Sequence, residues 1–325
     1  MVKILANDGI GAAAQEKLRS HGYEIFTEKV KQEDLINEIN NKKYNALLVR
    51  SATKVRKDLI DACPGLKLIG RGGVGMDNID VEYARSKGIE VFNTPAASSQ
   101  SVAELTFAHL FSLTRMLHDS NRQMPSEGYT NFPQLKKKYS KGIEVNGKTI
   151  GIIGFGRIGM KVARMALGLG MKVLAADPMV PEAEIDVEIF PPDGKTVTVP
   201  VKIKTVPFEE VISKADFISF HIPMPADKKP MITAKEIQMM KDGVFLINDA
   251  RGGIIDENAL IEGLKSGKIA FAGIDVYLDE PTPNRELLKM PNVSLTPHVG
   301  GSTVEAQNRI GMELADKIIA FFNKN

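Results

Sequence analysis

GKTIGIIGFGRIGMKVARMALGLGMKVLAADP, residues 147 to 178, is the stretch from which the rest of the chain is read. Lys148 to Ile153 is a short apolar run of strand type, and Gly154-Phe155-Gly156-Arg157-Ile158-Gly159 follows at once. Ile158, Val162, Met165, Ala166 and Leu169 then recur at helical spacing. Met171 to Ala176 reads as a second strand and ends at Asp177. Strand, G-x-G-x-x-G, helix, strand, with an acid about 20 residues further on, is the order of a dinucleotide-binding unit. Gly154 permits the tight turn, Gly156 leaves room for a pyrophosphate, and Gly159 lets helix and strand pack closely. The helix N-terminus adds unpaired N–H groups and the positive end of its dipole. Asp177 is placed for the adenosine ribose hydroxyls, and Pro178 stands where an arginine would serve a 2′-phosphate, which predicts NAD rather than NADP.

Context separates this match from a second one. Gly70-Arg71-Gly72-Gly73-Val74-Gly75 has the same glycine pattern after LKLI, yet MDNID follows instead of a long amphipathic helix. It is not expected to bind a nucleotide by itself.

Working outward, strands are expected at DFISFHI, GVFLIND, IAFAGIDV and VSLTP, with helices at PFEEVISKA, TAKEIQMMK and DENALIEGLKSG. Toward the N-terminus, VKILAN, YEIFT, NALLVR, LKLIG and IEVFN alternate with helices such as GAAAQEKLRSHG and QEDLINEINN. Such alternation predicts parallel sheets with helices on both faces. Ser98 to His118 is expected as one long, largely buried helix, and Asn121 to Asn146 as a polar loop marked by Pro125, Pro133 and three lysines at 136 to 138. Ser302 to Phe322 reads as a final amphipathic helix whose apolar face is expected to pack on the N-terminal segment. Asp186 to Thr205 breaks the rhythm: Val197, Val199, Val201 and Ile203 alternate with Thr198, Lys202 and Lys204. Asp193-Gly194 supplies a turn signal, so an inserted β-ribbon is expected there, as a surface embellishment or oligomer contact.

The chain has 325 residues, enough for two domains. A formal charge of +2 gives no expectation of nucleic acid or of an acidic membrane surface. Cys63 is the only cysteine, which excludes an intrachain disulfide and a zinc-cysteine cluster. MVKILAND begins as a strand without an apolar leader, and a cytoplasmic location is expected.

Three polar signatures close predicted strands of the second half: NDARGGIIDENAL at 248 to 260, DVYLDEP at 275 to 281 and PHVGGST at 297 to 303. Ligands of open α/β sheets bind outside such strand ends. Taken with these signatures, the chain resembles the D-isomer-specific 2-hydroxyacid dehydrogenase family from about Lys3 to Phe322. With VRSATKV, GRGGVGMDNID and SVAELT added, it is most similar to the phosphoglycerate dehydrogenase branch of that family. The resemblance implies two doubly wound parallel-sheet α/β domains. A Rossmann NAD-binding domain (98–298) would be inserted into a flavodoxin-like substrate-binding domain (1–97 and 299–325).

Carried over position by position, the resemblance implies Arg251 as binder of the substrate carboxylate, Glu280 as orienting acid and His298 as proton acceptor and donor. An arginine fork grips a carboxylate bidentately. Histidine is the side chain that titrates near neutral pH, and a neighbouring carboxylate fixes its tautomer. The resemblance further implies cofactor contacts at Val74, Gly154, Gly156, Arg157, Ile158, Gly159, Asp177, His221, Ile222, Asp249, Ala250 and Asp275, and at Val299, Gly300 and Gly301. Substrate contacts are implied at Arg50, Ser51 and Arg71, with backbone N–H groups of Gly72, Gly73 and Val74 around the acid. Arg50 and Arg71 are the cations on offer to a phosphate; an internal salt bridge is the other reading of each. No metal is implied. His21, His109 and His118 read as ordinary surface or core residues. Asp249 departs from the small or neutral residue usual in the family and leaves two readings open: a side chain turned away, or a charge favouring cationic NAD⁺. Ser98-Ser99 departs from the Gly-Asn of many relatives.

The expected reaction is NAD-dependent oxidation of D-3-phosphoglycerate, which opens serine biosynthesis, in a homodimer joined through the 98–118 helix. The competing expectations are a dehydrogenase for glycerate, lactate or glyoxylate, and an NAD(H)-sensing binding protein. The chain ends at Asn325, before the C-terminal regulatory domain of some relatives, so serine is not expected to inhibit through one.

Overall fold

The computed structural model describes every residue except Asp193, Ala226 and Asn325. It divides into two compact units: Met1–Ser99 with Gly301–Asn325, and Gln100–Gly300. The first runs β1 (Lys3–Ala6), α1 (Ala12–Ser20), β2 (Glu24–Phe26), α2 (Leu35–Lys42), β3 (Ala46–Val49), α3 (Lys57–Ala62), β4 (Leu68–Arg71), α4 (Val81–Ser86) and β5 (Glu90–Asn93). The five strands are parallel in the order β2-β1-β3-β4-β5, the doubly wound order of flavodoxin-like sheets.

In the second unit come α5 (Ser99–Thr114), α6 (Leu117–Glu127), α7 (Phe132–Tyr139), β6 (Thr149–Ile153), α8 (Arg157–Gly168), β7 (Lys172–Ala176), β8 (Glu182–Ile189), β9 (Val197–Lys204), α9 (Phe208–Lys214), β10 (Phe217–Phe220), α10 (Ala234–Met239), β11 (Val244–Asn248), α11 (Glu257–Ser266), β12 (Ile269–Ile274), α12 (Arg285–Lys289) and β13 (Val293–Leu295). Helix α13 (Val304–Phe322) returns to the first unit. Its Ile310, Leu314, Ala315 and Ile318 join Ile4, Ala6, Leu48 and Leu68 in one buried cluster.

The second sheet is ordered β13-β12-β11-β10-β6-β7 and is parallel throughout. Its central strands β10 and β11 are apolar runs buried on both faces, as parallel strands covered by helices must be. Register sets the site. Ile153 pairs with Phe220, Phe220 with Asn248, Asn248 with Ile274 and Ile274 with Leu295. The residues that follow these strands therefore leave the sheet along one carboxyl edge. The strand order reverses between β6 and β10, since the chain winds from β6 out to β7 and then continues from β10 on the other side of β6; this is the switch point at which such sheets bind ligands.

Two expectations about this unit need correction. The 98–118 helix ends at Thr114, and Met116, at φ 52°, turns the chain into α6. The segment expected as loop holds α6 and α7, with Pro133 in the first turn of α7, where its missing N–H costs nothing. Both are polar; α6 has no buried residue and α7 only Leu135, so no apolar stripe betrays them. Asp119 ties them together, accepting from Tyr139 Oη at 2.9 Å and pairing with Lys138 at 2.6 Å. The ribbon is β8 antiparallel to β9, starting four residues earlier than alternation alone indicates, with Ile185 and Ile203 buried in the cluster that includes α8. Its Asp193-Gly194 turn signal lies partly outside the described residues. Among the described residues no helix is long and apolar enough to cross a membrane.

Candidate active site

The glycine turn after β6 is built around close approaches. A Cβ on Gly154, at φ 93°, would sit 2.6 Å from the His221 carbonyl oxygen and 2.7 Å from Ile222 Cγ2. One on Gly159 would sit 2.1 Å from the Gly154 carbonyl oxygen, so α8 can start against β6 only without a side chain there. Gly156 is the contrast: it is exposed and has nothing within 4 Å of its Cβ position. The first turn of α8, with Arg157 exposed and Ile158 half-buried, has no side-chain cap. Its N–H groups thus open onto the space beside Gly156, an anion cradle. Asp177 borders it. Its Oδ2 accepts from Phe155 N at 2.7 Å and its Oδ1 from Met179 N at 2.8 Å, so it shapes the turn it faces. Each carboxylate oxygen keeps a second lone pair for a ribose hydroxyl. His221 Nε2 lies 2.8 Å from Ser219 Oγ, whereas its Nδ1 is shielded from solvent and has no hydrogen-bond partner. Burial pushes this imidazole down to about 3, so it is neutral. These features fit a dinucleotide.

Along the same sheet edge, three loops carry the expected catalytic groups. Asn248 pins the Arg251 turn from both ends: its Nδ2 donates to Arg251 O at 2.9 Å and its Oδ1 accepts from Ala250 N at 3.2 Å. Arg251 Nη1 donates to Ala250 O at 2.6 Å. Glu280 and His298 meet directly, with His298 Nδ1 at 2.8 Å from Oε2 and 3.0 Å from Oε1. Oε1 also accepts from Tyr277 N at 3.1 Å, which fixes the carboxylate. His298 holds φ 55°, a left-handed backbone seldom adopted by non-glycine residues and often found at functional sites. The conformation is held by Asp275: its carbonyl accepts from His298 N at 2.8 Å, its Oδ1 from Val299 N at 2.8 Å and its Oδ2 from Gly300 N at 2.9 Å.

These bonds show what the residues expected at the cofactor also do for the loop. Asp275 is 1% exposed and turns both carboxylate oxygens to the loop it supports, and the amides of Val299 and Gly300 are spent on it. Gly301 offers its carbonyl to Gln307 Nε2 at 2.7 Å. Thr296 and Tyr277 did not stand out in the sequence. Yet Thr296 Oγ1 donates to Asp275 Oδ1 at 2.7 Å, and Tyr277 Oη donates to Thr296 O at 2.9 Å. A hydroxyl two residues before the histidine is the only signal they gave.

Asp249 resolves in favour of the side chain turned away. It is buried, with Oδ2 2.8 Å from Thr106 Oγ1. The single Thr106 hydrogen has a second acceptor in Val102 O at 3.1 Å, and a protonated Asp249 would supply the hydrogen that satisfies both. Burial agrees, pushing this carboxyl up to about 8. His109, 3.7 Å away, is pushed down to about 4 by its own burial, so at neutral pH this is a contact of two neutral groups and not an ion pair. The sign of the linkage follows. The folded chain keeps a proton that the unfolded chain releases near 3.8, so stability falls as pH rises toward about 8 and is level above it. Asp249→Asn, which can donate the same hydrogen, should flatten that fall. Its urea midpoint should exceed the parent's at about pH 9 and change less than the parent's between about pH 5 and 9. Superimposable pH profiles would show that Asp249 is ionised in the native chain.

In the first unit, Asp8 organises the loop after β3, accepting from Arg50 N at 2.6 Å, Thr53 N at 3.1 Å and Thr53 Oγ1 at 2.8 Å, and pairing with Lys29. Asn78 Nδ2 donates to the carbonyls of Arg50 and Thr53. Exposed Ser51 lies within this loop, and among the described residues the Arg50 guanidinium has no hydrogen bond or ion pair. With Gly9, Gly11, Gly72 and Gln307 it lines a recess. The glycine loop departs from expectation. Gly72 N donates to Val49 O at 2.9 Å and Gly73 N to Thr94 Oγ1 at 2.8 Å, so neither amide is left for a substrate. Arg71 folds over this loop, its Nη1 donating to Gly72 O at 3.3 Å, and the Val74 carbonyl accepts from Asn93 Nδ2. No group of three or more His, Cys, Asp or Glu among the described residues is arranged to hold a metal ion.

Comparison with known proteins gives consistent matches. The profile of the D-isomer specific 2-hydroxyacid dehydrogenase NAD binding domain matches residues 107–300. A hydroxypyruvate reductase of Thermotoga maritima is 41% identical over 320 residues, 97% of this chain and 97% of that protein. A D-3-phosphoglycerate dehydrogenase of Archaeoglobus fulgidus is 38% identical over 98% of this chain, which spans 57% of that longer protein. Among solved structures, a glyoxylate reductase from Paecilomyes thermophila superposes with a TM-score of 0.82 at 29% identity, covering 100% of this chain and 96% of that one.

Proposed function

The chain belongs to the D-isomer specific 2-hydroxyacid dehydrogenase family and uses NAD, and on that premise we propose that its substrate pair is D-3-phosphoglycerate and 3-phosphohydroxypyruvate. The reaction would be the entry to serine biosynthesis. NAD, when bound, supplies the two-electron redox partner at its nicotinamide ring. The observation that carries the chemistry is the His298–Glu280 bond of 2.8 Å. A carboxylate only accepts, so Nδ1 must carry a hydrogen, and Nε2 is the atom that exchanges a proton. On oxidation neutral His298 takes the C2 hydroxyl proton; on reduction the protonated ring returns it. Arg251 grips the substrate carboxylate through its guanidinium fork.

The choice of a phosphorylated acid is supported by Arg50, which directly follows β3, and Arg71, which closes β4. Two guanidinium groups would give a phosphate dianion charge-assisted bonds that lactate or glycerate cannot use. A second reading, a hydroxypyruvate reductase, is favoured by the Thermotoga maritima relative, which this chain matches over nearly its whole length.

Kinetics with NADH and a panel of 2-oxo acids separates them. Arg50→Ala should raise KM for 3-phosphohydroxypyruvate about 10-fold or more, as expected for losing a charged hydrogen bond of about 1.5–3 kcal/mol. Hydroxypyruvate should be little affected. Arg71→Ala should act in the same direction, with some loss of stability because its side chain also covers the Gly72-Gly73 turn. Equal losses on both substrates would remove the phosphate reading and leave the unphosphorylated acid. No turnover of any 2-oxo acid would favour an NAD(H)-sensing role.

A further inference from the structure

Helix α5 buries several polar side chains among its apolar ones, Thr106 and His109 among them. They stand three residues apart, on one face. Each reaches a different catalytic loop. Thr106 Oγ1 meets Asp249 Oδ2 at 2.8 Å, two residues before Arg251. His109 Nε2 meets Thr296 Oγ1 at 3.1 Å, two residues before His298. Gly273 of β12 makes the second approach possible, because a Cβ there would lie 2.7 Å from His109 Cβ.

Counting hydrogens fixes the direction of the His109 contact. The Thr296 hydroxyl has one hydrogen and gives it to Asp275 Oδ1 at 2.7 Å. His109 Nε2 must therefore donate to Thr296 Oγ1. In a neutral ring Nδ1 then accepts from Ser294 Oγ at 3.0 Å. A continuous chain of bonds runs from α5 through Thr296 and Asp275 to the amides of Val299 and Gly300 that flank the histidine.

We propose that Thr106 and His109 are positioning residues, two prongs by which α5 fixes the spacing between the Arg251 turn and the His298 turn. Apolar packing alone would hold the helix against the sheet, but it does not fix register as directed bonds do. The substrate carboxylate and its C2 hydroxyl are joined by one carbon, so their two binding groups must keep one separation. This inference rests on Arg251 and His298 being the acid-binding and proton-exchanging pair.

The test compares side chains that keep or lose the Nε2 donor. His109→Gln keeps a donor near the Nε2 position, His109→Asn keeps only one near Nδ1, and His109→Leu keeps neither. We expect kcat with NADH and the accepted 2-oxo acid to fall about 10-fold or more in the Asn and Leu variants, with NADH affinity unchanged. The Gln variant should stay within about 3-fold of the parent, since it restores the bond to Thr296. Thr296→Val against Thr296→Ser repeats the comparison outside the helix, should His109→Leu fail to fold. The proposal is overturned if the Gln, Asn and Leu variants lose turnover equally, or if Leu and Val variants keep it. If those variants keep turnover while His298→Ala loses it, only the positioning role fails. If His298→Ala also keeps turnover, the catalytic assignment beneath it fails.

Discussion

His298→Ala should bind NAD and NADH as the parent does and turn over its 2-hydroxy acid ~10²–10⁴-fold more slowly, the usual contribution of a positioned acid/base. The structure separates these two outcomes. The loop is held by bonds from Asp275 to the backbone N–H groups of residues 298, 299 and 300, and none of them involves the imidazole. The left-handed backbone at φ 55° costs a non-glycine residue about 1–2 kcal/mol, and alanine bears the same cost that histidine already bears. Removing the ring therefore removes proton exchange and leaves the loop in place. Glu280→Gln should lose less, because the amide oxygen can still accept from Nδ1, although the charge beside it is gone. Cofactor affinity by calorimetry and turnover in the steady state check both. A near-parental kcat in His298→Ala would place proton transfer on another group.

Gly252→Ala should be nearly as damaging without touching a reacting group. The Cβ it adds would lie 1.9 Å from the Tyr277 carbonyl oxygen and 2.6 Å from Leu278 N, both backbone atoms. The two loops must part by more than 1 Å to restore ordinary contact. One carries Arg251 and the other ends at Glu280, so both sides of the site move. A misplacement of about 1 Å can cost ~10²-fold in rate, and a loss of that size is expected here. The glycine turn at 154–159 lies on other strands, so cofactor binding should persist. Parental turnover in this variant would show that the loops tolerate separation and that their close approach is incidental to catalysis.

Much of this arrangement was legible in the sequence because it is written in local patterns. Of the three glycines at fixed spacing, Gly154 and Gly159 report close backbone approaches and Gly156 an open cradle, and period-two alternation at Val197 to Ile203 reports a ribbon. The order of NDARGG, DVYLDEP and PHVGGST after apolar runs reports one sheet edge, because parallel register aligns the strand ends. What the sequence hid depends on where side chains point. Asp249 was visible as a departure, but only packing decides that it faces Thr106. His109 passed as a core residue because the glycine that admits it, Gly273, stands more than 160 residues away in sequence. The amides of Gly72 and Gly73 looked available because their acceptors, Val49 O and Thr94 Oγ1, belong to other strands' ends. Helices α6 and α7 went unread because prolines and lysines mark loops only when no polar surface helix can use them.

The return of α13 to the first unit has a consequence for how the chain is made. Ile4, Ala6, Leu48 and Leu68 are covered by residues 310 to 318, which are translated only after the whole of Gln100–Gly300. At synthesis rates of about 5–20 residues per second, the N-terminal sheet waits on the order of 10–40 s on the ribosome with one face covered only in part, by Ala14 and Leu18 of α1. The continuous unit meanwhile has every strand it needs and can complete its fold first. Nascent first-unit segments are thus the part of this protein most dependent on chaperone cover, and translation pauses before residue 310 would lengthen that dependence.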